Sequence, residues 1–165
     1  MGLLSFIKEA GEKLFSKGQA QTTMAAAQAD PGSAEKAKAA NDAAADSILE
    51  YIKAQGLNAT GLTVTFDGST ASVFGVAPDQ ATKEKIVLCC GNVQGVASVN
   101  DMMSVDQSAP EAQYYTVVKG DNLSKISKQY YGDPNKYVKI FEANKPMLKS
   151  PDLIYPGQML RIPPA

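Results

Sequence analysis

The apolar positions at the start of the chain recur every three or four residues, and charged residues of both signs fill the positions between them. This spacing predicts an amphipathic helix over residues 1–16 that packs on the following domain, because an apolar stripe must be covered. The mixed charges argue against the alternative, a helix lying on a membrane surface, where basic residues prevail. The apolar positions are Leu3, Phe6, Ile7, Ala10 and Leu14.

A low-complexity connector rich in Ala, Gln and Thr follows over residues 17–32, where the composition requires no packed structure. Helical spacing then resumes at Ser33 and continues to Gly56, and glycine commonly stands just past the end of a helix. A long helix is therefore predicted there. Its apolar positions are Ala37, Ala40, Ala44, Ile48 and Ile52.

Beyond this helix the apolar residues alternate with polar ones, which predicts a β-hairpin whose turn lies at Asp67-Gly68. A second helix is predicted over 78–91 and a third strand over 96–105. Residues 33–105 thus form an α-β-β-α-β domain. The inward-facing hairpin positions would be Leu62, Val64, Phe66, Ala71 and Val73.

Periodicity is lost over residues 106–112, which predicts a linker between two domains. A second unit over 113–165 contains the strand "YYTVV", the helices "NLSKISKQYYG" and "PNKYVKIFEAN", and the closing strand "QMLRIP". Its order is β-α-α-β. The predicted fold class is α+β, with two small domains in sequence.

The composition limits the chemistry that the chain can perform. The 165 residues carry a net charge of -1, so no basic field is present to bind a nucleic acid backbone. The chain has no histidine and only two cysteines, which rules out the usual transition-metal ligand sets and a Ser-His-Asp or Cys-His nucleophile. We therefore expect a protein that is not an enzyme.

Cys89 and Cys90 are adjacent in the sequence and lie near the end of the second predicted helix. Neighbouring cysteines form a disulfide only with strain, and the negative end of a helix raises the pKa of a thiol. We expect both side chains to pack as small apolar groups, with redox sensing as the alternative.

The first residues, "MGLLSFIKEAGEKLF", lack the basic segment, long apolar core and cleavage site of a secretory signal. Phe6 stands where an N-myristoylation motif requires Ser or Thr, and no apolar run is long enough to span a bilayer. We therefore expect a cytoplasmic protein, and we expect it to be a monomer.

The second unit resembles a LysM domain over nearly its whole length, through "YTVV", "KGDNLSKIS", "FEAN" and "IYPGQMLRIP". Asn122 stands where Thr is frequent in that family. The preceding unit is similar to a BON domain through its hairpin and "GNVQGVASV". In this order, the two resemble the bacterial BON-LysM potassium-binding protein family. The resemblance implies reversible binding of potassium ion, chiefly by the BON portion, with contact between the domains and compaction of the chain.

Potassium is usually held by several neutral oxygens, often main-chain carbonyls, that replace its hydration shell. The last carbonyls of a helix have no intrahelical donor and carry the negative end of the dipole. Matching to the family implies a potassium site made by five carbonyl oxygens. In the alternative interpretation, Gly91 is an ordinary helix end and "NVQG" an ordinary turn. The implied ligands are the carbonyls of Ile7, Ala10, Gly91, Val93 and Val96.

The LysM resemblance also implies a groove for N-acetyl glycans, lying between the first loop of the domain and the loop before the last strand. Alternatively, Asp121 caps a helix and Pro156-Gly157 forms a turn. A cytoplasmic location would separate the chain from peptidoglycan, which disfavours the glycan role. The implied groove residues are Gly120, Asp121, Asn122, Leu123, Ile154, Tyr155 and Pro156.

Overall fold

The computed structural model describes residues 2–6, 34–93 and 95–164. Among these residues, the elements of the first unit are β1 (Gly2–Ser5), α1 (Ala34–Ala54), β2 (Thr60–Asp67), β3 (Thr70–Asp79), α2 (Gln80–Gly91) and β4 (Ser98–Gln107). Their order after β1 is α-β-β-α-β, as predicted. The strands form a mixed sheet with the order β1-β4-β3-β2.

The predicted hairpin is present, and its antiparallel strands meet at Asp67 and Thr70, so the turn lies one residue later than expected. Helix α2 then carries the chain across the sheet, and β4 pairs in parallel with β3. Such a parallel pair needs a long crossover, which the helix supplies. Alternate strand residues and both helices form one core. Its most deeply buried members include Ile48, Ile52, Ala71, Val73, Ile86, Val93, Val96 and Val99.

Helix α2 begins at Gln80, two residues later than predicted, because Pro78 and Asp79 belong to β3. The carboxylate of Asp79 accepts the Thr82 N–H at 2.7 Å and so caps the helix. Because this backbone hydrogen bond favours the ionised form, it lowers the pKa of Asp79. Strand β4 extends to Gln107, which shortens the predicted linker at its start.

The prediction of a helix at the N-terminus is wrong for residues 2–5. Gly2–Ser5 is a strand that pairs antiparallel with β4, placing Leu4 opposite Val99. The reason is tertiary: the open edge of β4 offers a row of backbone donors and acceptors, and pairing with it outweighs a short helical pattern. The rest of the predicted helix and the connector lie outside the described residues.

The second unit has the predicted β-α-α-β order. Its two strands are antiparallel, and Thr116 lies opposite Met159. Among the described helices of the chain, none is long and apolar enough to cross a membrane. The elements are β5 (Gln113–Thr116), α3 (Leu123–Tyr131), a 3-10 turn (Pro134–Lys136), α4 (Tyr137–Ala143) and β6 (Met159–Ile162). They enclose a core that includes Val117, Leu123, Ile126, Ile140, Leu148 and Leu160.

Candidate functional site

Helix α2 ends at Gly91, which is buried against the N-terminal strand. A Cβ atom added at this position would overlap the ring of Phe6. The φ angle of Gly91 is not in the left-handed region, so glycine is required here for space rather than for an unusual turn. An aromatic ring therefore rests directly on the main chain at the helix end.

The main chain at this helix end has a defined direction. The N–H of Asn92 donates to the Leu88 carbonyl at 2.9 Å. Since a trans peptide group holds its N–H and C=O on opposite sides, the Gly91 carbonyl points away from the helix. Its oxygen lies at the negative end of the helix dipole. This carbonyl is therefore oriented to attract a cation.

A turn from Val93 to Val96 follows at once. It is closed by the N–H of Val96, which donates to the Val93 carbonyl at 3.0 Å. Gly95 adopts φ +106°, a value that favours glycine at this point of the turn. The N–H of Ala97 donates to the Ser69 carbonyl. Because the carbonyl of a trans peptide group lies opposite its N–H, the Val96 carbonyl points away from Ser69.

The carbonyl oxygens at this helix end and turn differ in the hydrogen bonds that they accept. Within the described part of the chain, no backbone N–H is hydrogen-bonded to the carbonyl of Gly91 or Val96. Among the described residues, the Val93 carbonyl accepts a hydrogen bond from the Val96 N–H. The side chains of Val93 and Val96 are fully buried. The groups that the described residues of this turn, Val93, Gly95 and Val96, can offer an ion are neutral main-chain oxygens.

The N-terminal segment approaches the same turn. The N–H of Phe6 donates to the Ala97 carbonyl at 2.7 Å, so the chain leaves β1 beside the turn. Ile7 and Ala10 lie outside the described residues, and their part in the site stays a prediction. Among described residues, no cluster of three His, Cys, Asp or Glu side chains is placed to hold a metal.

The two cysteines lie in the last turn of α2, where both are buried thiols. Burial, followed by the neighbouring Cys89 and Asp101, raises the pKa of the Cys90 thiol well above its ordinary value. A buried thiol that holds its proton is a poor nucleophile, which supports the expected packing role.

Asn92 joins this helix end to the second domain. Its side-chain Nδ2 donates to the Met159 carbonyl at 2.8 Å, and its Oδ1 accepts the Met159 N–H at 2.9 Å. Sequence reasoning treated this asparagine only as part of a turn. Nothing in the sequence around Asn92 indicates a hydrogen-bond partner 67 residues away.

A buried ion pair forms a second contact between the domains. Glu84 on α2 accepts from Arg161 Nε on β6 at 3.3 Å and from the Ala112 N–H at 3.2 Å. The two side chains are 3% and 9% exposed, so this pair is shielded from solvent. Sequence reasoning also missed these residues; the only signal was a charged residue inside each of two largely buried elements.

The comparisons with known proteins agree with this architecture. A BON domain model matches residues 34–107, and a LysM domain model matches residues 115–163. The chain is 44% identical over 164 residues to the potassium binding protein Kbp of Escherichia coli O6:H1, covering 99% of each chain. The chain belongs to the family of that potassium binding protein. The predicted family and the predicted order of the two domains are confirmed.

Two further relatives share only part of the chain. An uncharacterized protein of Deinococcus radiodurans is 45% identical over 82 residues, which are 43% of this chain and 32% of the relative. The uncharacterized protein YqbP of Bacillus subtilis is 41% identical over 66 residues, 34% of this chain and 29% of its own. Their names indicate no activity.

In the LysM domain, the two loops of the implied glycan groove lie at the same end of the small sheet. The N–H of Gly157 donates to the Val117 carbonyl at 2.8 Å, which places the later loop beside the start of the earlier one. Leu123 is buried in the domain core and is not available to a ligand. Ile154 packs on that core, and Tyr155 is half-buried, whereas Gly120, Asn122 and Pro156 are exposed.

The polar groups of the earlier loop are engaged within the domain. Asn122, rather than Asp121, caps helix α3 by accepting the Lys125 N–H at 2.8 Å, which corrects the expected cap. The Asp121 carboxylate instead accepts from the Tyr115 hydroxyl at 2.6 Å and the Val118 N–H at 2.9 Å. The hydrogen bond between the Tyr115 hydroxyl and the Asp121 carboxylate raises the pKa of Tyr115 to about 12. These polar groups therefore shape the loop within the domain.

Proposed function

We propose that the chain binds potassium ion reversibly through main-chain carbonyls of Gly91, Val93 and Val96, completed by those of Ile7 and Ala10. The observation that carries this proposal is the direction of the Gly91 carbonyl, out of the negative end of α2 and without a backbone donor among the described residues. The printed name of the full-length relative supports the choice of ion.

The chemistry of the turn favours potassium over a divalent cation. Calcium and magnesium are usually held by carboxylates, which offset the cost of removing their tightly bound water. Neutral carbonyls suit a large, weakly hydrated ion. Because the ligands are backbone atoms, the specificity of the site depends on how the turn is held rather than on any charged side chain.

The proposed role is that of a cytoplasmic, monomeric and non-enzymatic potassium sensor or buffer. An ion that binds one conformation more tightly than another stabilises that conformation by the difference in affinity. Here the favoured conformation is the compact one, in which the BON and LysM domains are docked. Potassium would thereby change the shape that the chain presents to other molecules.

Isothermal titration of the full chain with KCl, NaCl and CaCl2 tests the proposal. We expect heat from potassium binding and little from calcium. Gly91→Pro and deletion of residues 1–11 should each abolish binding if both segments supply carbonyls. Potassium binding that survives the deletion unchanged would contradict the two-segment site.

A second candidate function is glycan binding through the LysM domain, which the neighbouring positions of its two loops favour. A pull-down on insoluble peptidoglycan measures it directly. Retention of the chain on peptidoglycan, without heat in the potassium titration, would assign the function to this domain instead of the ion site.

A further inference from the structure

Strand β6 has one edge paired with β5 and one edge that none of the described strands covers. Two asparagine side chains occupy this outer edge. Asn144, from the end of α4, donates to the Arg161 carbonyl at 2.9 Å and accepts the Arg161 N–H at 2.8 Å. Asn92, from the BON domain, makes the same pair of bonds to Met159, two residues earlier.

A carboxamide that donates and accepts in this way reproduces the pair of hydrogen bonds that an antiparallel neighbour strand would make. Asn144 comes from the LysM domain itself and completes its fold. Asn92 comes from the other domain, so its two bonds exist only while the domains are docked. They also cover backbone groups that would otherwise need water.

Asn92 is at the same time part of the proposed ion site. The Asn92 N–H and the Gly91 carbonyl belong to the same peptide group. The carbonyl carbon of Asn92 is bonded to the nitrogen of Val93. The Asn92 N–H is bonded to the Leu88 carbonyl, and the Asn92 side chain makes two hydrogen bonds to Met159. Both the backbone and the side chain of Asn92 are therefore held. Met159 is therefore bonded to the residue whose backbone N–H shares a peptide group with the Gly91 carbonyl.

We propose that Asn92 is a positioning residue that couples potassium occupancy of the turn at residues 91–96 to docking of the LysM domain. This inference rests on the proposed function. Docking holds the turn in the orientation that binds the ion, and by linkage a bound ion holds the LysM domain in place to the same degree. Asn92 touches no ion itself and acts through the carbonyls on either side.

The chain contains a probe for docking. Cys89 lines a cavity of about 120 Å³ between the domains, together with Asn92, Leu148 and Tyr155. Its side chain is 1% exposed in the docked state. Alkylation of Cys89 by iodoacetamide, measured in a full chain carrying Cys90→Ala, therefore reports how often the domains separate. The ratio of the rates without and with saturating potassium measures the coupling.

Two variants in that background separate coupling from docking strength. Asn92→Ala removes both bonds to Met159. Glu84→Gln weakens the buried contact with Arg161, more than one helical turn away from the ion turn, and serves as the control. Couplings of this kind typically span about 5- to 150-fold. We expect potassium to slow alkylation within that range in the parent and in Glu84→Gln, although the latter reacts faster in both conditions.

For Asn92→Ala we expect the ratio of rates to fall close to one and the potassium affinity, measured by calorimetry, to fall by a similar factor. A ratio that is unchanged in Asn92→Ala would overturn the coupling. A ratio lost equally in Glu84→Gln would also overturn it, since any docking contact would then serve. If the parent gives no heat with potassium, the proposed function is wrong. If the parent binds potassium but the ratio of alkylation rates is unchanged in Asn92→Ala, only the role of Asn92 is wrong.

Discussion

The ring of Phe6 occupies the space that a side chain at Gly91 would need. This contact joins the N-terminal strand to the end of helix α2, and it lies next to the turn from which the proposed carbonyl ligands come. The Phe6 N–H, bonded to Ala97, fixes the same approach from the backbone. The edge strand and the turn are therefore held together as one structure.

Gly91→Ala should lower the free energy of unfolding by about 1–3 kcal/mol, the usual range for overpacking. The added methyl group must displace the Phe6 ring. Phe6→Leu in the same chain supplies a smaller and more adaptable partner, so the double variant should lose less than the sum of the single losses. Urea denaturation of the four chains measures this. Additive losses would show that the ring and the glycine do not interact.

Val93→Ala should destabilise the BON domain without weakening potassium binding. The Val93 side chain is fully buried in the core, and removing its methyl groups should lower the free energy of unfolding by about 1–3 kcal/mol. Its carbonyl, however, is unchanged. Val118→Ala is the matched control, since that side chain is 56% exposed. Loss of potassium affinity in Val93→Ala, measured where the variant is fully folded, would contradict ligation by the backbone alone.

Asp79→Ala should lower the free energy of unfolding by about 0.5–2 kcal/mol at neutral pH, because the variant loses the cap of helix α2. The pKa of Asp79 is lowered in the folded state, so its contribution is complete above the unfolded pKa of about 3.9 and is lost as the pH falls through the folded value. The parent and the variant should thus converge in stability in acid. Asp106→Ala, at an exposed position, should show no such difference at neutral pH.

Tyr115→Phe should remove a late step from the alkaline titration of tyrosinate absorbance. The hydrogen bond to Asp121 raises the pKa of Tyr115 to about 12, so the folded state retains this proton above the ordinary value near 10. The corresponding stability is complete below about pH 10 and is lost as the pH rises toward the folded pKa. Asp121→Asn should shift the step to lower pH. A titration of Tyr115→Phe that matches the parent would place the late step on another tyrosine.

The helices and strands of both domains could be predicted because each carries a local signal. The alternation before Asp67 and the apolar spacing from Ala44 to Ile52 identify elements that the structure contains. The N-terminal segment could not be predicted in this way. Its helical spacing was outweighed by the unpaired edge of β4, a feature that exists only once the sheet has formed.

Gly91 and Gly95 also differ in whether the sequence alone explains why glycine is required. Gly95 has a positive φ, which the residue type alone suggests in a tight turn. Gly91 is required because of Phe6, a residue 85 positions earlier. Composition and spacing by themselves determined an α+β chain of two domains that contains no histidine and only two cysteines. Only the tertiary structure decided that Phe6 rests on Gly91 and that Asn92 binds Met159, because hydrogen bonds and packing between distant segments leave no periodic trace in either segment.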